Sequence, residues 1–264
     1  ARQSEFQHTW IPFTFVMPAM FYCNRWLTRA GLYYTWGALA LLLWGVAEVS
    51  PQPWIGTIAI AIASALLEVH ARLNKREFLH QSFVAAAFGL LCLFVVDKPL
   101  PLATAAALFY LSGWTRRGIA ILPGTLLAAL AIWYGLPAAL VAPAWGLLAL
   151  ILLETVRSPT LRDHAHLLAF AAFARLYYAN FPVLTETAGI SHRLLTVTPM
   201  ILLALYGWHR DQSAGSHIGS VYSWAAVLLA GSLLRFELGR TLVVVGWATL
   251  MLILLHVGLS RRIR

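Results

Sequence analysis

The stretch Ala-Trp-Gly-Leu-Leu-Ala-Leu-Ile-Leu-Leu-Glu (144–154) decides the fold. It is apolar up to Glu154, and a short basic link that contains Arg157 follows it. A second apolar run, residues 167–178, then closes on Asn180. Two apolar segments joined by a basic link predict a transmembrane helical hairpin whose turn faces the cytoplasm.

The same hairpin pattern occurs twice more in the chain. Residues 59–97 carry Glu68 near the end of the first apolar run and close on Asp97. Residues 247–264 repeat the first half of the pattern and place His256 where the other two copies have Glu. The chain is therefore predicted to be a membrane repeat array.

Aromatic motifs extend the repeat beyond the hairpin. Phe-Tyr-Cys-Asn-Arg-Trp (21–26) resembles Phe-Tyr-Leu-Ser-Gly-Trp (109–114), and Tyr-Thr-Trp (34–36) resembles Tyr-Ser-Trp (222–224). The repeat unit then has four helices. Because this number is even, successive copies have the same orientation in the membrane, whereas inverted repeats have opposite orientations. A single transmembrane domain of residues 1–264 is expected, a piece of a longer array whose repeat pieces are 1–31 (partial), 32–118, 119–219 and 220–264 (partial).

Composition agrees with this prediction. Hydrophobic residues make up 60% of the chain and charged residues 11%, whereas soluble domains are nearer half apolar and a quarter charged. The predicted fold class is an all-α, polytopic bundle of about 11 spans. Their predicted ranges are 10–24, 32–49, 53–70, 79–96, 100–114, 119–135, 137–156, 164–181, 193–209, 220–236 and 241–259.

The net charge of +9 is distributed unevenly between alternate loops. One set of loops holds five basic residues: Arg2, Lys98, Arg193, Arg235 and Arg240. The other set holds thirteen: Arg25, Arg29, Arg72, Lys75, Arg76, Arg116, Arg117, Arg157, Arg162, Arg210, Arg261, Arg262 and Arg264. By the positive-inside rule the first residue lies outside and the C-terminus lies in the cytoplasm, and this bias explains the basic charge without nucleic-acid binding.

Glu68, Glu154 and His256 share one repeat position near the inner end of a span. Ionisable groups inside a membrane are costly and are functional candidates by default, here for a proton or cation site. The alternative is structural, because Arg72 and Arg157 follow the two glutamates at helical spacing and predict local ion pairs.

Arg175 is the one basic residue that belongs to neither set of loops, and it lies inside the predicted span 164–181. It either neutralises an anionic substrate or lipid headgroup in a cavity, or reaches the outer interface beside Tyr177 and Tyr178. Four histidines near the inner loops raise the possibility of a metal site, but the pattern favours interfacial residues because no Cys accompanies them. They are His70, His80, His164 and His166.

The chain resembles a bacterial family of predicted multi-pass membrane proteins, the domain of unknown function 2339. The resemblance rests on the repeated hairpins, on Tyr34-Thr-Trp36, and on Arg235-Phe-Glu237 followed by Gly246-Trp247-Ala248. It implies a many-helix protein of the bacterial inner membrane and supplies no catalytic residues.

The sequence contains no catalytic signature, and no cofactor or metal is predicted. The leading hypothesis is a non-enzymatic scaffold subunit of a membrane or envelope complex, with the lipid bilayer and other subunits as partners. The alternative is a transporter or lipid-handling protein with a cavity near Arg175, Glu154 and Glu68, and an intramembrane enzyme ranks third.

Overall fold

The structure is a computed structural model that describes residues 15–25, 33–116, 121–155, 159–182, 186–187, 190–212, 217–239 and 241–262. Within those ranges the chain forms eleven α-helices and one very short pair of strands. The helices are α1 (15–25), α2 (Tyr33–Val49), α3 (Gln52–Leu73), α4 (Arg76–Leu93), α5 (Pro99–Arg116), α6 (Ile121–Gly135), α7 (Ala138–Thr155), α8 (Pro159–Arg175), α9 (His192–Gln212), α10 (His217–Glu237) and α11 (Leu242–Arg262).

The all-α fold class is confirmed, and each helix overlaps one of the predicted spans. Three helices, α3, α7 and α10, are long and apolar enough to cross a membrane. Shorter apolar helical segments cover Pro99–Ser112, Leu122–Gly135 and Leu242–His256. That all eleven helices cross the bilayer therefore stays a prediction.

Helix α8 differs most from its predicted span. It begins at Pro159 rather than at residue 164, so Arg162 and Asp163 belong to the helix and not to the link. Proline is well suited to the first turn of a helix because its missing N–H has no partner there in any case. At the other end, α8 passes into a π-helical turn, Leu176–Asn180, which completes the predicted span.

The link between the predicted spans 164–181 and 193–209 contains a small hairpin. Its strands, β1 (Glu186–Thr187) and β2 (Ile190–Ser191), pair antiparallel, with Glu186 opposite Ser191. Helix α9 begins immediately after β2.

The chain forms two compact units, Ala1–Gly135 and Leu136–Arg264. In the first unit α3 packs against α4 and α5, and α5 packs against α6. The α3–α4 turn depends on Asn74, whose backbone is left-handed (φ 52°) and whose N–H bonds to the carbonyl of His70. Asparagine tolerates this conformation better than most residues with a Cβ.

Glycine allows α3 and α4 to approach at the level of the backbone. A Cβ at Gly56 would lie 2.5 Å from the carbonyl oxygen of Gly89, and a Cβ at Gly89 would lie 2.8 Å from that of Gly56. Small residues are the usual means of close helix packing in membranes. The adjoining core is made of aliphatic residues such as Ile60 and Leu93, both almost fully buried.

In the second unit α7 packs against α8 and α9, α9 packs against α10, and α11 packs against α10. The order of pairwise packing is thus the same in α7–α10 as in α3–α6. The core of this unit is more aromatic, because Tyr222 is completely buried and contacts the rings of Phe170 and Phe173.

Many large apolar side chains face outward on the described helices. Leu91, Leu111, Tyr178, Leu202 and Met251 are all at least three-fifths exposed. An apolar exterior of this extent is expected where lipid rather than water surrounds the helices.

Candidate functional site

The polar side chains of the second unit collect at the two ends of its helices. One end is formed where α7 and α9 end and α8 and α10 begin, and we call it the basic end because the predicted cytoplasmic loops lie there. The other end, where α7, α9 and α11 begin and α10 finishes, we call the far end. Each end holds a network that joins different helices.

At the basic end, Glu154 of α7 is bound by two residues of α9. The Tyr206 hydroxyl donates a hydrogen bond to Glu154 Oε1 over 2.6 Å, and Arg210 Nη1 lies 3.2 Å from the same oxygen. Arg210 Nη2 also donates to the carbonyl oxygen of Leu153 over 2.6 Å. Tyr206 and Arg210 lie four residues apart and so share one face of α9. These two residues connect α9 to the end of α7.

The neighbouring face of α9 carries Gly207 and Asp211, which are also four residues apart. Gly207 packs directly on the Tyr222 ring, since a Cβ there would lie 2.9 Å from it. The Tyr222 hydroxyl lies 2.8 Å from His166 Nδ1, a hydrogen bond between two buried side chains of α10 and α8. Asp211 Oδ2 lies 3.8 Å from His166 Nε2.

Asp211 Oδ2 is buried and has no hydrogen-bond partner among the described residues. Its distance to His166 exceeds a direct hydrogen bond but is short enough for an ion pair when His166 is protonated. We call the six residues of this end the basic-end network: Glu154, His166, Tyr206, Arg210, Asp211 and Tyr222. The chemistry available to them is hydrogen bonding, ion pairing and proton binding.

At the far end, the central residue is Arg193, which is only 7% exposed. Its Nε donates to the carbonyl oxygen of Phe181 over 2.8 Å and its Nη1 to that of Phe236 over 3.3 Å. The guanidinium carbon also lies 5.0 Å from the centre of the Phe236 ring. Glu237 completes the site, 3.8 Å from Arg193 and 2.5 Å from the Ser191 hydroxyl that donates to it. Arg193 therefore connects the start of α9 with the end of α10.

The predicted site residues have different surroundings. Glu68 forms the expected local ion pair, with Arg72 Nε 2.9 Å from its Oε1, on an exposed helix face. Glu154 pairs with α9 instead, and its predicted partner Arg157 lies outside the described residues. His256 is exposed on α11.

Arg175 is the last residue of α8. Its Nη2 donates to the carbonyl oxygen of Ala138 over 3.5 Å, and its guanidinium carbon lies 5.7 Å from the centre of the Trp145 ring. Ala138 is the first residue of α7 and Glu154 is near its end, about 24 Å away at 1.5 Å per residue. Arg175 and Glu154 therefore lie at opposite ends of the hairpin and do not form one site.

Sequence reasoning missed Arg193 and Asp211, and it interpreted His166 as interfacial. Arg193 was counted only as a loop cation, because nothing in the loop sequence shows that the strand pair and α9 fold it inward. Asp211 carried a usable signal, since it is an acidic residue on the face predicted to be basic. The described residues contain no group of three or more His, Cys, Asp or Glu side chains able to hold a metal ion.

Two cavities are prominent among the described residues. One, of about 500 Å³, lies between α9, α10 and α11 and is lined almost wholly by aliphatic side chains such as Leu234, Val245 and Ile253. The other, of about 310 Å³, lies in the first unit between α1, α3 and the start of α4. The basic-end and far-end networks line neither of them.

No protein-family model matches the chain, and comparison with curated proteins and with solved structures found no match either. Membership of the domain of unknown function 2339 family therefore stays a prediction.

Proposed function

We propose that this chain is a non-enzymatic scaffold of a bacterial inner membrane, a helical subunit that organises or anchors other proteins of a membrane or envelope complex. The proposal includes the positive-inside orientation, with the basic end in the cytoplasm. It also includes membership of the family named above.

The observation that carries the proposal is the use made of the charged side chains in the second unit. Arg210 and Glu154 join α9 to α7, and Arg193 and Glu237 join α9 to α10. Transporters instead place such groups around a cavity near the middle of the membrane, where helices are often interrupted. Charged side chains that join helices at their ends support the interpretation of the chain as a rigid framework.

The large apolar cavity also supports a framework rather than a polar transport route. Thr249 is the one residue with a side-chain hydroxyl along it, and that hydroxyl donates to the carbonyl oxygen of Val245 in its own helix. A cavity of this kind accepts an acyl chain or an apolar side chain. None of the described residues that line it offers a charged group to a polar solute.

Purification from native membranes in mild detergent, followed by mass spectrometry of what co-migrates, tests the proposal. We expect other membrane proteins in fixed stoichiometry with the chain. A lone protein that carries one specific small molecule in stoichiometric amount would contradict the scaffold and favour transport.

Two variants sharpen the test. Glu154→Gln keeps an acceptor for Tyr206, and Arg175→Leu removes a charge at the far end of the α7–α8 hairpin. A scaffold should keep its co-migrating partners in both variants and lose only stability. If Glu154→Gln abolishes solute flux while the purified protein remains folded, the structural interpretation of Glu154 is wrong.

A further inference from the structure

The cavity between α1, α3 and the start of α4 has one charged end and one apolar wall. The wall is formed by Leu66, Val69 and Leu73, which share one face of α3 because they are spaced by three and four residues. The charged end is formed by Arg25, Lys75 and Glu77, together with the hydroxyl-bearing ring of Tyr22 and the ring of Phe78. The cavity is therefore amphipathic along its length.

Its position matches the headgroup level of a bilayer. Helix α3 has 22 residues and is about 33 Å long, close to the thickness of the hydrocarbon core of a membrane, about 30 Å. Lys75 and Glu77 follow its C-terminal end, so they lie where the hydrocarbon gives way to headgroups when α3 spans the membrane. The apolar wall then runs from that level toward the hydrocarbon.

One buried acceptor at the charged end has no hydrogen-bond partner in the part of the chain that the structure describes. The Glu77 side chain is only 8% exposed, and its Oε2 lies 3.4 Å from Arg25 Nη2. Its other oxygen, Oε1, is buried and accepts no hydrogen bond from the described residues. Leaving a buried carboxylate oxygen unpaired is costly, so a ligand that donates a hydrogen bond here gains affinity.

The charge of the cavity also specifies the ligand. Arg25 and Glu77 balance each other, and Lys75 adds one positive charge beside them. A ligand with a single negative charge, such as that of a phosphodiester, neutralises the remaining positive charge of the cavity. Basic pockets between transmembrane helices commonly bind lipid phosphates in this way.

We propose that this cavity binds one phospholipid whose headgroup carries a hydrogen-bond donor. The phosphodiester lies between Arg25 and Lys75, the headgroup ammonium or hydroxyl donates to the Glu77 carboxylate, and the first part of an acyl chain lies along Leu66 and Val69. Phosphatidylethanolamine and phosphatidylglycerol both have such a donor, and phosphatidylglycerol also has the net charge of −1 that neutralises Arg25, Lys75 and Glu77 together. Phosphatidylcholine has no such donor, because its quaternary ammonium has no N–H.

The test measures binding of defined lipids to the delipidated protein in detergent by native mass spectrometry. We expect one phosphatidylethanolamine or phosphatidylglycerol to be retained and phosphatidylcholine to bind more weakly. Comparison of the first two identifies which headgroup the site prefers. Soluble glycerophosphoglycerol, which has the same headgroup without acyl chains, should not displace the lipid at equal concentration.

Two matched lysine variants test whether the lipid binds in this cavity. Lys75→Gln should weaken retention of phosphatidylglycerol about fivefold, the effect of one basic residue near a membrane surface. Lys98→Gln is the control, because Lys98 is also exposed and lies in the same unit near the start of α5. It should leave retention unchanged.

Glu77→Met tests recognition of the headgroup donor separately from recognition of the phosphate, since it removes both acceptor oxygens and leaves both cations. We expect it to reduce the preference over phosphatidylcholine. Equal retention of all three lipids, or equal effects of Lys75→Gln and Lys98→Gln, would overturn the proposal.

Discussion

Helices α3–α6 and helices α7–α10 pack in the same pairwise order but are joined by different chemistry. In α3–α6 the contacts are small and mostly uncharged: Gly56 against Gly89, and the Ser112 hydroxyl donating to Ser64 over 2.9 Å. In α7–α10 the contacts are long charged and aromatic side chains, with Arg210 on Glu154 as the clearest case. One packing pattern can thus be held either by contacts between backbones or by charged and aromatic side chains that join the helices.

The two glutamates at one repeat position show the same difference. Glu68 is bound by Arg72, one turn along its own helix. Glu154 is bound by Tyr206 and Arg210, more than fifty residues away. A local pair stabilises one helix, whereas a long-range pair fixes the position of two helices relative to each other.

The largest expected effect comes from filling the close contact in α3–α6. Gly56→Leu places atoms where the Gly89 carbonyl lies, and backbone cannot move aside as a side chain can. We expect a loss of about 3 kcal/mol in the free energy of unfolding, measured by SDS titration. Gly37→Leu is the control because no atom lies within 4 Å of a Cβ there. Equal loss in both variants would mean that the close backbone contact is not what holds α3 to α4.

The second effect contrasts the two ion pairs. Arg210→Met leaves Glu154 without its cation and the Leu153 carbonyl without the Arg210 donor. We expect a loss of about 2 kcal/mol in the free energy of unfolding. The loss is not larger because Glu154 is half exposed, so water can partly replace the lost contacts. Arg72→Met should cost about 0.5 kcal/mol or less, because that pair is exposed and local. The same titration measures both. If Arg72→Met costs as much as Arg210→Met, the distinction between a local and a long-range pair fails.

The smallest effect concerns two tyrosine hydroxyls. Tyr222→Phe leaves buried His166 without the hydrogen bond at Nδ1, and we expect a cost of about 1–2 kcal/mol. Tyr110→Phe removes a 3.1 Å hydrogen bond to Thr125 in α6 and should cost about 0.5 kcal/mol, since this partly buried bond joins two neutral hydroxyls. Thermal unfolding in detergent compares the two. A larger loss at Tyr110 would show that the small hydroxyl contacts hold their helices more strongly than the basic-end network does.

The number and order of the helices could be predicted from the sequence because each helix is an apolar run between polar or proline-containing links. The ends of a helix were harder to predict where polar residues belong to the helix. The start of α8 is the example: Pro159, Arg162 and Asp163 look like a link, yet all three belong to the first turns of the helix. The Glu68–Arg72 pair could be predicted as well, because it depends only on the spacing within one helix.

The partners of Glu154 and the burial of Arg193 could not be predicted. Glu154 has a plausible local partner in the sequence, and choosing Arg210 instead requires knowing that α9 packs against α7. Arg193 is buried only because β2 and the end of α10 close around it. Both depend on helices that are distant in the chain.

By itself, the sequence determined that this protein is helical, apolar and divided into hairpin-sized segments, because hydrophobic runs and helical spacing are local properties. Tertiary structure alone decided which charged groups meet, that Glu154 and Arg175 lie at opposite ends of one hairpin, and that Glu77 is buried beside a cavity. The physical reason is that the energy of a buried charge depends on every group within a few ångströms of it, and in a helical bundle most of those groups come from other helices.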